Sequence, residues 1–216
     1  MAIGLSKFVI EIDRKLGPGK LWKVLSGRFY TPSEEERIFM FIDMKDSTKT
    51  AEKLGHIEFS KLLQDCFQDF SIVDRYLGDI YQYVGDEVVV SWVPKRGIKK
   101  ENFLQAFFAF TEIIEHKADY YTSKYGMVPY FKAGANIGPV VITEVGDIKR
   151  EITYHGDTVN TASRIQDMCN KLDAQMLIPE KLYNLVKNSS KYNFEDLGSV
   201  ALKGKEKHIH LYKVTQ

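Results

Sequence analysis

The run Ile80-Tyr-Gln-Tyr-Val-Gly-Asp-Glu-Val-Val-Val-Ser-Trp-Val93 decides how the chain is read. Two segments rich in Val, Ile and aromatics flank Gly85-Asp86, which reads as a β-hairpin with a carboxylate at its turn. Asp and Gly are what any tight turn uses, so the corner gains meaning only from its surroundings. Upstream, Arg37-Ile-Phe-Met-Phe-Ile-Asp-Met44 is another strand-like run and ends on an acid, Asp43. Two strand-end carboxylates are thus available to share a divalent cation, which takes oxygen ligands with water and phosphate completing the shell. Downstream, His155-Gly-Asp-Thr-Val-Asn-Thr-Ala-Ser-Arg164 sets an Asn and an Arg four residues apart, on one face if the segment is helical.

The chain has 216 residues, 44% hydrophobic and 27% charged, which suits one sizeable domain with an appendage. Thirty basic residues against 29 acidic leave a formal charge of +1. That balance gives no global drive toward nucleic acid or an anionic membrane, so no nucleic-acid partner is expected and any anion site must be local. Cys66 and Cys169 both fall in helix-like patterns and read as buried thiols in a reducing compartment. No apolar run approaches the ~18–20 residues that span a bilayer. The expected location is cytoplasmic, either for the whole protein or for the cytoplasmic part of a membrane-anchored one. Residues 1–30 read as a helical linker, with Leu5, Phe8, Val9, Ile12 and Leu16 at helical spacing before Gly17-Pro-Gly19. This stripe is either a packing helix of the same domain or a connector to an N-terminal input or membrane region.

Residues 31–216 read as one α/β domain, in α+β sandwich form: a mainly antiparallel sheet with packed helices. A polar turn is expected at Thr31-Pro-Ser-Glu-Glu-Glu36. Lys45-Asp-Ser-Thr48 opens a long helix whose buried face is Phe59, Leu62, Leu63, Cys66, Phe67, Phe70 and Val73. A strand-end acid followed by a helix N-terminus can hold a cation while free N–H groups accept phosphate oxygens; Asp46 or Ser47 can equally be an ordinary N-cap. Pro94 to Lys100 reads as a basic loop, and Asn102 to Lys124 as one helix with Leu104, Phe107, Phe108, Ile114, Ala118 and Tyr121 inward. Tyr130–Ile137 and Val140–Val145 read as two strands turning at Gly138-Pro139. Two last strands, around Phe194–Leu202 and His208–Val214, flank Lys203-Gly-Lys205.

Taken together, the Asp-ended strand, the Gly-Asp hairpin, the Gly-Asp-Thr-Val-Asn-x-Ala-x-Arg block and the closing Leu-Lys-Gly-Lys resemble the catalytic domain of the class III nucleotidyl cyclases. The resemblance runs from about Glu36 to the C-terminus. It implies a ferredoxin-like cyclase core and formation of a 3′,5′-cyclic monophosphate and pyrophosphate from a nucleoside triphosphate. It also implies two Mg²⁺ or Mn²⁺ ions per site and a head-to-tail homodimer with sites across the interface. The implied metal set is Asp43, Met44 and Asp86. Asn160 would orient the ribose and Arg164 the triphosphate. Lys45, Asp46, Ser47, Thr48 and Lys203 would hold phosphate, with Lys205 in reserve. Gln82 and Thr153 occupy the base-reading positions: Thr153 fits the adenine pattern, while the Gln82 amide can present either a donor or an acceptor. ATP is therefore the expected substrate, with GTP and then CTP or UTP as alternatives. The chain departs from the family in carrying Asp46 and Ser47 where Gly and Phe are usual. A degenerate domain that only binds nucleotide is the reading from another class; loss of an acid, the Asn or the Arg would favour it, and all four stand.

Overall fold

The computed structural model describes residues 26, 27, 29–205 and 208–216. The apolar stripe at 4–16 lies outside them. Eight strands form one sheet: β1 (Ser33–Met44), β2 (Asp79–Val84), β3 (Glu87–Trp92), β4 (Phe131–Val145), β5 (Glu151–His155), β6 (Met176–Pro179), β7 (Asn193–Val200) and β8 (Ile209–Thr215). Their order is β2-β3-β1-β4-β6-β8-β7, with β5 paired to the far end of β4. Among the described strands only the β4–β6 pairing is parallel. The α-helices among the described residues are α1 (Ser47–Leu54), α2 (His56–Asp69), α3 (Pro94–Ile98), α4 (Asn102–His116), α5 (Ala118–Tyr125), α6 (Asp157–Asp167) and α7 (Glu180–Val186), and short 3₁₀ helices span Phe70–Tyr76 and Lys99–Glu101. None of them is long and apolar enough to cross a membrane.

Strand β1 explains the layering. Every residue from Ile38 to Ile42 is buried, as a strand covered on both faces must be, so its sequence runs apolar instead of alternating. Ile38, Met40 and Ile42 face a core built with α2, α4 and α7. Phe39 and Phe41 face a second core with Val89, Val140, Ile142, Tyr154 and, from α6, Ala162. In the first core Phe110 meets Phe70 and Phe131 edge-on, each pair 4.9 Å apart. Both cysteines are free and buried, and burial pushes both thiols up to about 12.

Several local expectations are corrected. Ser33–Glu36 continue strand β1, because β4 extends far enough to pair with them. The long helix after Thr48 is two, broken at Gly55, whose φ of 77° leaves the helical region. The basic loop at 94–100 contains helix α3, started by Pro94 at its first position. The 102–124 helix divides at Lys117. Gly138-Pro139 is not a turn: β4 runs straight through it. A strand tolerates proline only where the missing N–H breaks no ladder bond. On the edge of β4 away from β1, residue 139 falls between the stretches paired to β6 and β5. The glycine has a different use, since a Cβ at Gly138 would lie 2.5 Å from the Thr158 hydroxyl of α6.

Helices α2 and α5 are joined by a polar staple. Asp65 accepts from the Tyr125 hydroxyl at 2.6 Å, from Tyr120 at 2.7 Å and from the Lys124 ammonium at 2.8 Å. Partial burial opposes ionisation, but these three donors outweigh it and hold the carboxyl at about 2. A depressed folded-state pKa gives stability that is complete above the ordinary carboxylate range and lost as pH falls toward the folded value. Asp65→Asn should therefore cost about 1–2 kcal/mol at pH 7 after allowance for solvent screening. In urea unfolding the gap between wild type and variant should narrow steadily between pH 5 and pH 3; a gap independent of pH would contradict the assignment.

Candidate active site

Asp43 closes strand β1 directly opposite Glu87 of β3 and Lys132 of β4. Between Val84 and Glu87 the chain reverses at Gly85, with φ of 62°, so Asp86 returns beside Asp43. Burial, then a hydrogen bond with the Asp86 carboxyl and that group's charge, push Asp43 up to about 6 against the opposing pull of Lys132 and Gln166. Glu87 rises to about 7, first through burial and then through the charges of Asp43, Asp86 and Asp167. Acids held in this state are poised for a cation. The pair Asp43 and Asp86 fits the donor set a hard divalent ion takes, and among the described residues no group of three or more acids, His or Cys converges as a closed metal cage. Two carboxylates with coordination left over suit an ion that shares its shell with substrate.

The segment after Asp43 departs from helical geometry once. Asp46 sits in the left-handed region at φ 55° and makes no side-chain cap. That conformation explains why glycine is the usual residue, and Asp is among the few others that tolerate it. The Asp46 carboxylate turns to Lys49 at 2.8 Å, whose hydrogen bond holds it below the ordinary range. Its charge is thereby matched by a neighbour in α1. Lys45 is exposed, with its ammonium 5.6 Å over the Tyr130 ring and its N–H donating to the Tyr130 carbonyl at 2.8 Å. Ser47 and Thr48 form the first residues of α1.

Helix α6 carries the other residue set. Thr158, Thr161, Ala162, Ile165 and Gln166 are buried against the sheet. Asn160, Ser163, Arg164 and Asp167 lie on the opposite face and, with Lys203 and Gly204, line an open cleft of about 380 Å³. Arg164 donates to the Gly204 carbonyl at 3.4 Å. Lys205, the reserve phosphate ligand, is committed elsewhere: it bonds Asp157 at 2.5 Å with little exposure, so Lys203 is the lysine that faces the cleft. The structure thus brings Asn160, Arg164 and Lys203 together, and brings Asp43 and Asp86 together. It places the two groups on opposite sides of α6.

Gln82 and Thr153 are on different strands, and their neighbours meet. A register shift in β2 between Ile80 and Gln82 leaves Tyr81 unpaired. Its ring lies 5.1 Å from that of Tyr154, edge-on, and its hydroxyl accepts from the Tyr154 N–H at 3.4 Å. Gln82 is exposed and Thr153 half-buried.

The family model for the adenylate and guanylate cyclase catalytic domain matches residues 29–216. The chain belongs to that family. Adenylate cyclase 2 of Rhizobium meliloti (strain 1021) is 34% identical over 96% of this chain and 58% of its own length. Adenylate cyclase 1 of the same organism is 29% identical over 83% of this chain and 27% of its own length. The cyclase domain described here therefore spans little more than half of the first relative and about a quarter of the second. Among solved structures, the adenylyl cyclase CyaB from P. aeruginosa superposes with a TM-score of 0.75 at 21% identity, covering 86% of this chain and 96% of that one. A bacterial light-regulated adenylyl cyclase reaches 0.82 at 18% identity, covering 99% and 63%. These two likenesses establish the fold.

Three residues of the acid site escaped the sequence reading: Glu87, Lys132 and Gln166. Lys132 carried a signal, as a lysine between Phe131 and Ala133 in an apolar strand. It is 4% exposed, and its ammonium lies 3.7 Å from Asp43.

Asp86→Ala should abolish turnover, leaving less than about a hundredth of wild-type activity, because half the cation-holding pair is lost. The same change removes the charge that raises Asp43, so the melting temperature should hold or rise slightly. Retention of more than about a tenth of activity with saturating Mn²⁺ would sink the two-acid site.

Proposed function

We propose that the chain is the catalytic domain of an adenylyl cyclase that acts as a homodimer on ATP. The observation that carries this reading is the division of the site residues by α6. Asn160, Arg164 and Lys203 line a cleft on its outer face, while Asp43 and Asp86 stand beyond its buried face. One copy presents two halves of a site that a second copy, placed head to tail, would complete twice.

Asp43 and Asp86 are the residues that would hold Mg²⁺ or Mn²⁺, two per site, with Met44 alongside. Bound there, the ions would supply charge neutralisation for the triphosphate and a lowered pKa for the attacking hydroxyl. The chain's own residues do the rest. Asn160 fixes the ribose so that its 3′ oxygen lines up with the α-phosphorus. As that O–P bond forms, the bond to the bridging oxygen of pyrophosphate breaks, and Arg164 offsets the charge that develops on the phosphate oxygens. Lys203 and the Lys45–Thr48 segment hold the leaving pyrophosphate. The hydroxyl proton passes to water or to a substrate phosphate.

We assign base choice to Gln82 and Thr153, whose chain neighbours Tyr81 and Tyr154 touch each other. A threonine hydroxyl can accept from the adenine amine or donate to a ring nitrogen, and the glutamine amide can donate to adenine N1. One adaptable hydrogen bond is worth about 1 kcal/mol, so the preference over GTP should be modest, roughly fivefold. Incubation of the purified chain with each of the four ribonucleoside triphosphates and Mn²⁺, with products identified by mass, tests the whole reading. Cyclic AMP should dominate, and Gln82→Lys should sharpen selectivity for ATP. A pyrimidine product in excess, or a lysine variant no more selective, would overturn the assignment of base; no cyclic product from any nucleotide would overturn the function.

A further inference from the structure

The acid site has an inner side that the proposed chemistry does not use. Two polar side chains there are nearly sealed from solvent, Lys132 of β4 and Gln166 of α6, each 4% exposed. Buried polar groups need partners, and both find the same atom. The Gln166 amide donates to Asp43 Oδ2 at 3.3 Å, and the Lys132 ammonium lies 3.7 Å from that oxygen. The interior contacts to Asp43 thus converge on Oδ2, and Oδ1 receives neither. The carboxylate is 27% exposed, so it is reachable from outside while held from within.

The backbone fixes where this grip falls. At Gly134, one turn of the pleat along from Lys132, a Cβ would come within 2.2 Å of the Gln166 backbone nitrogen. Helix α6 is therefore pressed onto β4 at the residue that reaches Asp43, and its side chain has little freedom to settle elsewhere. The rotation of a carboxylate about its last bond is soft, so an acid gripped by one oxygen presents the other in a set direction.

We propose that Gln166 is a positioning residue for cation binding: with Lys132 it pins Asp43 by Oδ2 and so aims Oδ1 outward beside Asp86. This inference rests on the reading of Asp43 and Asp86 as the cation-holding pair. Groups that orient a metal ligand from behind typically alter metal affinity by about 10–100-fold when removed. Gln166→Met fills the same space without a donor, and Gln166→Asn keeps the amide but draws it back by one methylene.

The test is Mn²⁺ binding to the nucleotide-free protein, read from the free-ion electron paramagnetic resonance signal, for wild type, Asp43→Ala, Gln166→Met and Gln166→Asn. The expected result is affinity weakened about tenfold in both Gln166 variants, with activity lost at low Mn²⁺ and largely recovered at high Mn²⁺, and KM for ATP unchanged at saturating metal. Gln166→Asn covers the case in which the methionine variant does not fold. Asp43-dependent Mn²⁺ binding that either folded Gln166 variant retains at wild-type strength overturns this inference alone. Wild-type Mn²⁺ binding that Asp43→Ala leaves unchanged overturns the cation-site reading and this inference with it.

Discussion

The contact between helix α6 and strand β4 is the constraint on which the rest of the site depends. Gly134 and Gly138 share one face of β4 four residues apart, and each lies where a side chain would strike the helix: the Gln166 backbone at 2.2 Å and the Thr158 hydroxyl at 2.5 Å. Those two helix positions are eight residues apart, so the pair of glycines seats both ends of α6 along the strand. Thr158 also donates to the Pro139 carbonyl at 2.7 Å, and Asn136 donates to the Thr158 carbonyl at 3.1 Å. At Gly134 a Cβ would strike the helix backbone itself, so the helix and what it carries would have to move.

What the helix carries is divided by its two faces. The buried face takes hold of Asp43 through Gln166; the outer face presents Asn160 and Arg164 to a cleft shared with the Lys203 turn. Because both faces belong to one element, Asp43 on one side and the Asn160–Arg164 pair on the other are held at a fixed separation within a chain. Burial first, and then the neighbouring Asp86 carboxyl, raise Asp43 to about 6 despite Lys132. On the outer face Arg164 donates to the Gly204 carbonyl, and its charge also favours the ionised Asp157.

Much of this was legible in the sequence because the decisive residues are punctuated by turn chemistry and strand ends. The Gly85-Asp86 hairpin, Asp43 at the end of an apolar run, and Asn160 with Arg164 at a four-residue spacing all stand where local patterns put them. What local pattern could not give was the meaning of residues whose role is set by a distant partner. Gly138-Pro139 carries a turn signal, yet the glycine is there to admit Thr158 and the strand continues. Lys132 is polar in an apolar strand, and only Asp43 across the sheet explains it. Gln166 falls on the buried face of α6 by simple periodicity, where a glutamine reads as an ordinary packing residue until its partner is known. Asp46 stands where the family usually has Gly, and its left-handed backbone and its bond to Lys49 account for it.

On the proposed reading neither half is a site alone, and two copies complete each other. Mixing the two inactive variants Asp43→Ala and Arg164→Ala, with subunit exchange followed independently by a mass or fluorescence label, tests it most directly. The account predicts that activity returns, at up to about a quarter of wild type, because half of the dimers in an equal mixture are mixed and each regains one intact site of two. Continued inactivity despite demonstrated exchange would contradict it and would mean that each chain builds its site by itself.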